Sequence, residues 1–467
     1  LKWEGNVVGT AIGERLNQLP IGKTHKRATA LIGVGLFFEF FEVFLAGVLA
    51  SVLEEKFHIH SSIMPLLLGS SFLGMFFGAL FLSRAADRYG RKKVFIVNLT
   101  IYSLSSLLIA ISPNVSFVIF FRFIAGFGLG AQPALCDTYL SELIPAGKRG
   151  KFIAWAYTLS FLAIPIEGFL ARTLVPLAPL GIDGWRWMFV IGAIGSIVVF
   201  AGARHLPESP LWLASKGRLH EAEEIIQQLG EKRKVGHVPG MIIHQQESYE
   251  KLPFSALFKK PFLTSTVMLY IFQIFQTIGY YGFGTLAPIV LASKGYTITH
   301  SLEYVALSFI GYPLGSLLSV PLIDRIDRKW LVVLSAFFMG VFGLMFGVAD
   351  SSSLIVIAGF IYTIVSNIFS NAYHTLQAEI FPTAVRATAS GGAYSISRLM
   401  SGLMPFVLLP VLERSGATVM FTIVAAAMVI VILDVAILAP RTTGQSLDRL
   451  DRPDQLPIPK SSDISQI

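Results

Sequence analysis

Cysteine is all but missing: Cys136 stands alone among 467 residues, which excludes a disulfide framework and a cysteine-ligated metal site. Charge is scarce as well. Only 14% of the residues are Asp, Glu, Lys or Arg, against roughly 25% in a soluble domain, too few to cover a water-facing surface. Polar stretches are short, the longest running from Arg204 to Lys260. None carries a nucleophile–base set, a nucleotide loop or a cluster of metal ligands, so neither an enzyme nor a cofactor nor a metal is expected. His58 and His60 share a short loop with no cysteine and read as surface histidines.

What is plentiful is apolar. Hydrophobic residues make up 54% of the chain, and the mean hydropathy is +0.65. They gather in runs of about 18 to 25 residues, the length that crosses a bilayer core as a helix. Lipid offers the backbone no hydrogen bonds, so such runs must be helical. The pattern predicts spans near residues 28–53, 63–82, 94–112, 116–139, 152–171 and 186–203, then 263–291, 303–323, 330–349, 353–373, 388–411 and 417–438. The first run is too long for a cleaved leader and lacks a small-residue cleavage site, so it is expected to be a true span.

The net charge of +8 has a one-sided distribution. About 30 of the Lys and Arg residues fall between spans on the amino-terminal side, about 5 on the other side and 2 within spans. That bias predicts cytoplasmic termini and removes nucleic acid as a partner. Five segments are expected: 1–27, a six-helix bundle over 28–203, a connecting segment 204–262, a second bundle over 263–438, and a polar tail 439–467. Within the connector, Glu221–Leu229 has the pattern of a short amphipathic helix.

The halves echo one another. Arg84-Ala-Ala-Asp87-Arg88-Tyr-Gly90-Arg91-Lys92-Lys93 joins the second and third spans, and Asp324-Arg325-Ile-Asp327-Arg328-Lys329 stands six spans later. A basic turn with an acid at the membrane edge, repeated in this way, marks a transporter built from internal repeats. The first loop resembles the Gly-x-x-x-Asp-Arg-x-Gly-Arg-Lys signature of the major facilitator superfamily, with Ser83 in place of the first glycine. Arg122-Phe-Ile-Ala-Gly126-Phe-Gly128-Leu-Gly130, Glu142 with Arg149-Gly150, and Pro207-Glu208-Ser-Pro210-Leu-Trp212 follow in the family's order. So do Glu379-Ile-Phe-Pro382-Thr-Ala-Val-Arg386 and Thr443-Gly444-Gln-Ser446-Leu447. The resemblance implies an all-α membrane protein of twelve transmembrane helices in two pseudo-symmetric six-helix bundles, moving a solute by alternating access. It also implies a gating rim in which Asp87, Glu142, Glu208, Asp324 and Glu379 face Arg88, Arg91, Arg149, Arg328 and Arg386.

Ionisable groups inside spans are costly and therefore functional candidates. Glu39 and Glu42 lie three apart among phenylalanines, on one helix face. Burial favours the neutral carboxyl, which suits a proton carrier. Arg122 in the fourth span matches Glu42 in depth. Proton-coupled sugar carriers of the superfamily have an acid and an arginine at such positions, so Glu39, Glu42 and Arg122 are the proton-coupling candidates; a permanent structural pair is the alternative.

Arg398 lies near the midplane of the eleventh span with no acid at equal depth in its half, which predicts an anionic solute; pairing with Glu39, Glu42 or Glu167 is the alternative. Gln273, Gln276, Thr277, Tyr280 and Tyr281, with Asn367, Asn371, Glu167 and Trp155, complete the expected solute site. Gly279 and Gly282 are expected to permit a bend in the seventh span.

The resemblance is strongest to the niacin-permease and aromatic-acid/proton symporter branch, although that branch often has aspartates where Glu39 and Glu42 stand. It implies a monomeric carrier in a bacterial inner membrane, importing an aromatic or heterocyclic monocarboxylate of the nicotinate or nicotinamide kind with protons. The alternatives are a sugar or polyol symporter, an exporter of small aromatics, and a transporter-like sensor.

Overall fold

The computed structural model describes residues 12–230, 254–381 and 383–440, excluding the side chains of 146, 254, 324, 378 and 383–388. The rim candidates Asp324 and Arg386 and the 443–447 motif therefore lie outside the described side chains. Eleven helices are long and apolar enough to cross a membrane. They are α1 (Lys23–Phe57), α2 (Met64–Tyr89), α3 (Arg91–Ala110), α4 (Val115–Leu143), α5 (Arg149–Leu177), α6 (Gly184–Ala203), α7 (Leu263–Ser293), α8 (Ile298–Ile323), α9 (Arg328–Val348) and α10 (Ser352–Glu379), followed by Thr383–Leu438. The last is broken at Gly416, whose φ of 81° is a left-handed value that glycine adopts without strain. Its limbs, α11 before Gly416 and α12 after it, bring the spans to twelve.

Three spans are jointed, and proline explains each joint. Helix geometry lapses after Leu129 in α4, Phe161 in α5 and Phe309 in α8. Pro133, Pro165 and Pro313 stand four residues later, where the ring clashes with the carbonyl four residues back. By contrast α7 keeps its helical hydrogen bonding through Gly279 and Gly282. Gly279 makes room for neighbours. Its carbonyl accepts the Tyr362 hydroxyl at 2.9 Å, and Met428 lies against its Cα.

Small residues set the helix crossings. Gly74 and Gly78 of α2 face the carbonyls of Phe123 and Phe127, while Gly126 and Gly130 of α4 face those of Ser71 and Met75, leaving no space for a Cβ. The same device recurs where the pseudo-symmetry requires it. Gly311 and Gly315 of α8 press on Phe360 and Ile364 of α10. Hydrophobicity cannot drive helices together in lipid, so such close backbone approach supplies the packing.

The most apolar stretches of α1 and α7 are 83% buried, against 39% for that of Ala389–Leu438, so α1 and α7 run through the middle. Loops alternate between a basic end, carrying Lys23, Arg91, Lys92, Arg149 and Arg328, and a far end. At the basic end the helix 12–18 meets the connector helix Leu219–Leu229 through an Arg15–Glu223 ion pair. At the far end Lys56 donates to Asp183 at 3.0 Å, and Arg186 lies 3.5 Å from the same carboxyl. Partial desolvation pushes that carboxyl up, but the hydrogen bonds and charges of Lys56 and Arg186 outweigh it and hold Asp183 below its ordinary range.

The halves meet toward the far end. Gly47 of α1 abuts the backbone of Gly284 and Thr285 in α7, Gly168 of α5 abuts Ala306 of α8, and Gly69 of α2 abuts Gly402 of α11. Phe44 packs between Tyr281, Phe309 and Tyr312 of the other half. Arg172 reaches Glu303 at 3.3 Å, the one ion pair among the described residues that joins the two halves.

Candidate functional site

In the second half the buried guanidinium of Arg398 is sandwiched. Its carbon lies 4.4 Å from the ring centre of Tyr394 and 5.0 Å from that of Tyr281. It donates through Nη2 to the Tyr394 hydroxyl, while Nε and Nη1 have no hydrogen-bond partner among the described residues. Tyr280, Tyr373 and His374 lie within electrostatic reach. Beneath this box an amide chain ties three helices together. Gln276 donates to Gln273 at 2.9 Å and to Ser397 at 3.2 Å, Gln273 donates to Gln377 at 3.0 Å, and the Gln276 oxygen has no partner among the described residues. The arrangement presents two free cationic donors and one amide acceptor inside an aromatic shell.

The first half supplies acids. Glu39 is 2% exposed and lies within electrostatic reach of Arg398 across the interface and of Asp137 in α4. Tyr157 of α5 is close enough to Asp137 to interact with it. One turn from Glu39, Glu42 accepts the Ser106 hydroxyl at 2.8 Å. Arg122 and Glu167 are close enough to interact with Glu42 electrostatically. The expected Glu42–Arg122 contact is not made, however. All three Arg122 nitrogens, both Glu167 oxygens and one Glu42 oxygen lack hydrogen-bond partners among the described residues. Three buried ionisable groups therefore attract or repel at a distance rather than forming a closed pair.

Trp155 is 61% exposed, whereas Ala156 and Ser160 beside it on α5 are buried. Asn367 and Asn371 donate to the Tyr312 carbonyl and to Ser319 at 2.7 Å, tying α10 to α8, and the Asn367 oxygen has no partner among the described residues. The Thr277 hydroxyl donates to the carbonyl of Ile274 on its own helix.

The rim partners also differ from those expected. Arg91 is the hub, donating to Glu142 through Nε and Nη2 at 3.1 Å each, to Asp87 at 2.7 Å and to the Ala86 carbonyl. Glu208 accepts the backbone N–H groups of Arg91, Lys92 and Ser209 at 2.9–3.0 Å, capping α3. Arg149 donates to the Ile144 carbonyl, Arg88 stacks on Tyr89, and Arg328 meets Glu379 at 3.4 Å. Each contact lies within one half, so these bonds organise a half rather than clasp two halves together.

Residues that the sequence did not single out take part as well. Asp137, Ser106, Gln377 and Ser397 belong to the same clusters, and buried Asp434 of α12 has no hydrogen-bond partner for either oxygen among the described residues. Asp137 and Asp434 carried the same signal as Glu39, an acid inside an apolar run.

A twelve-span bundle with paired small-residue crossings and buried charges facing each other across two halves is the architecture of a secondary transporter of the major facilitator fold. Residues 22–453 match the family described as "Sugar (and other) transporter", and the chain belongs to that family. A Bacillus subtilis (strain 168) protein named for metabolite transport, YyaJ, is 32% identical over 82% of this chain and 85% of its own. The niacin transporter NiaP of Acinetobacter baylyi is 29% identical over 93% of this chain and 98% of its own. Among solved structures, the partially occluded inward-open xylose transporter XylE of Escherichia coli superposes with a TM-score of 0.73. At 20% identity it covers 91% of this chain and 100% of its own, a likeness of fold. The protein is an integral membrane transporter, not an enzyme.

Proposed function

We propose that this transporter imports a small organic anion, an aromatic or heterocyclic monocarboxylate of the nicotinate kind, together with protons. The observation that carries the reading is Arg398: a buried guanidinium with two donor nitrogens unused is strongly disfavoured inside a membrane. A carboxylate relieves that cost through charge-assisted hydrogen bonds. Tyr281 and Tyr394 flank the cation and offer ring faces to an attached heterocycle. The relative named as a niacin transporter covers nearly the whole chain and supports the same substrate class. Glu39 and Glu42 serve as the proton sites, with Arg122 as the charge that Glu42 answers to. The basic end faces the cytoplasm of a bacterial inner membrane. Segments 28–203 and 263–438 rock about the site in a single monomer.

Sugar or polyol symport is the second reading. It is favoured by the Gln273–Gln276–Gln377 chain with its unpartnered amide oxygen, which suits hydroxyl groups. It also draws on a relative, 24% identical, named as an arabinose-proton symporter. Purified protein in liposomes separates the two. Under an inward proton gradient, nicotinate is expected to accumulate and nicotinamide and arabinose are not. Accumulation of arabinose with none of nicotinate would overturn the anion reading in favour of the second.

A further inference from the structure

The ion pair that joins the halves at the far end is shared with a third residue. Glu303, near the start of α8, offers one carboxylate oxygen to Arg172 of α5 at 3.3 Å and the other to His300 of its own helix at 3.8 Å. His300 and Glu303 stand three apart and so on one helix face. The imidazole is held in place: it stacks on Tyr304 with ring centres 6.0 Å apart, and Tyr304 packs on Tyr296 and hydrogen-bonds to Ser352 at 3.0 Å. Charged groups at the ends of the adjoining helices are engaged elsewhere. Lys294, after α7, donates to the carbonyls of Gly347 and Ala349 at 2.7 Å each, and Asp350, before α10, lies within electrostatic reach of Lys294. On α1, Glu54 lies within electrostatic reach of Glu413 of α11, and Lys56 donates to Asp183. Among the described residues, Arg172 and His300 are the only basic groups that reach the Glu303 carboxylate.

We propose that His300 is a pH-sensitive release for this end of the carrier. Neutral, it leaves Glu303 to Arg172, and the pair ties α8 to α5. Protonated, as histidines become between about pH 8 and pH 5, it places a second cation beside the same carboxylate. Attraction to Glu303 and repulsion from the imidazolium then oppose each other at Arg172, and the tie between the halves slackens. Linkage gives the same sign. When the halves part, Arg172 leaves with α5 while Glu303 stays beside His300 on α8. The open form therefore holds the extra proton more tightly and is favoured as pH falls. The groups are partly exposed, which limits the effect to about fivefold in the open-to-closed ratio. On the reading that puts the basic end in the cytoplasm, this end faces outside, and an acid exterior opens the face that loads solute for import.

The test places one spin label on the far end of each half, away from Glu303, in a Cys136→Ser background. Pulsed electron resonance on samples frozen across about pH 8 to pH 5 then reports the open and closed populations. Both faces of detergent-solubilised protein meet the same pH, so the result does not depend on which end is cytoplasmic. With acidity the open-to-closed ratio of wild type should rise by up to about fivefold more than that of His300→Gln. His300→Arg supplies a fixed cation and should show the raised ratio at alkaline pH as well. In an Arg172→Gln background the ratio should already be raised at alkaline pH, and adding His300→Gln should change neither its level nor its slope. Equal pH dependence in wild type and His300→Gln overturns the proposal. So does an effect of His300→Gln that survives the loss of Arg172. Any slope that wild type and His300→Gln share belongs to other groups, so failure of the proton-coupling reading would leave the difference between them intact.

Discussion

The guanidinium of Arg398 lies 5.0 Å from the ring centre of Tyr281, two residues on different helices of the second half brought face to face in the protein interior. A cation on a ring face is worth about 0.5–1 kcal/mol when exposed and about 2 kcal/mol when desolvated. Tyr281→Phe keeps the face and should bind aromatic acids within about twofold of wild type. Tyr281→Leu removes it and should weaken acid binding by roughly tenfold. Calorimetric titration of both variants checks this, and equal affinity in all three proteins would remove the ring from the site.

Glu42 tests the proton path in the first half. It holds one bond, from Ser106 at 2.8 Å, and faces Arg122 at a distance. Glu42→Gln keeps the Ser106 bond but cannot change charge. Gradient-driven accumulation should be lost while solute exchange across the membrane remains measurable in liposomes. Accumulation at the wild-type level would pass the coupling role to Glu39 alone.

The span count was legible in the sequence because run length and apolar content determine it, and all twelve predicted spans correspond to helices. The joints in α4, α5 and α8 were equally written there, as Pro133, Pro165 and Pro313. Partnerships were not. Arg91 rather than Arg149 gathers the rim acids, because motif order says which residues matter and not which rotamers meet. Trp155 is exposed where the other aromatic candidates are covered, and inside an apolar helix lipid and cavity faces carry the same residue types. Ser106, Gln377 and Ser397 look like ordinary polar residues of membrane helices until Glu42 and Gln276 are found beside them.

At the rim, Glu208 accepts three backbone N–H groups, whereas Arg88 only stacks on Tyr89. Glu208→Ala leaves those donors uncapped, and hydrogen bonds to a charged group contribute about 1.5–3 kcal/mol. Its thermal midpoint in detergent should drop by several degrees, and that of Arg88→Ala should stay near wild type. Equal midpoints would mean that water caps α3 as well as Glu208 does.

At the far end, Arg172 and Glu303 join the two halves. The pair is partly exposed and is worth about 0–1 kcal/mol, enough to shift a two-state balance up to about fivefold. Arg172→Glu should raise labelling of cysteines introduced beside this interface, in a Cys136→Ser background. The reciprocal Arg172→Glu/Glu303→Arg double variant should restore it. Failure of the double variant to reverse the change would show that the pair does not hold the end closed.

The most direct measurement of the central claim compares an acid and its amide on Arg398 itself. Nicotinate and nicotinamide share a ring and differ in charge, so their affinity ratio isolates the anion contact. Wild type should favour the acid. Arg398→Lys keeps the charge and loses the planar donor set, so the preference should shrink. Arg398→Ala should abolish it while amide binding survives. Equal binding of the acid by all three proteins would contradict the account and leave Arg398 as an internal partner of Glu39.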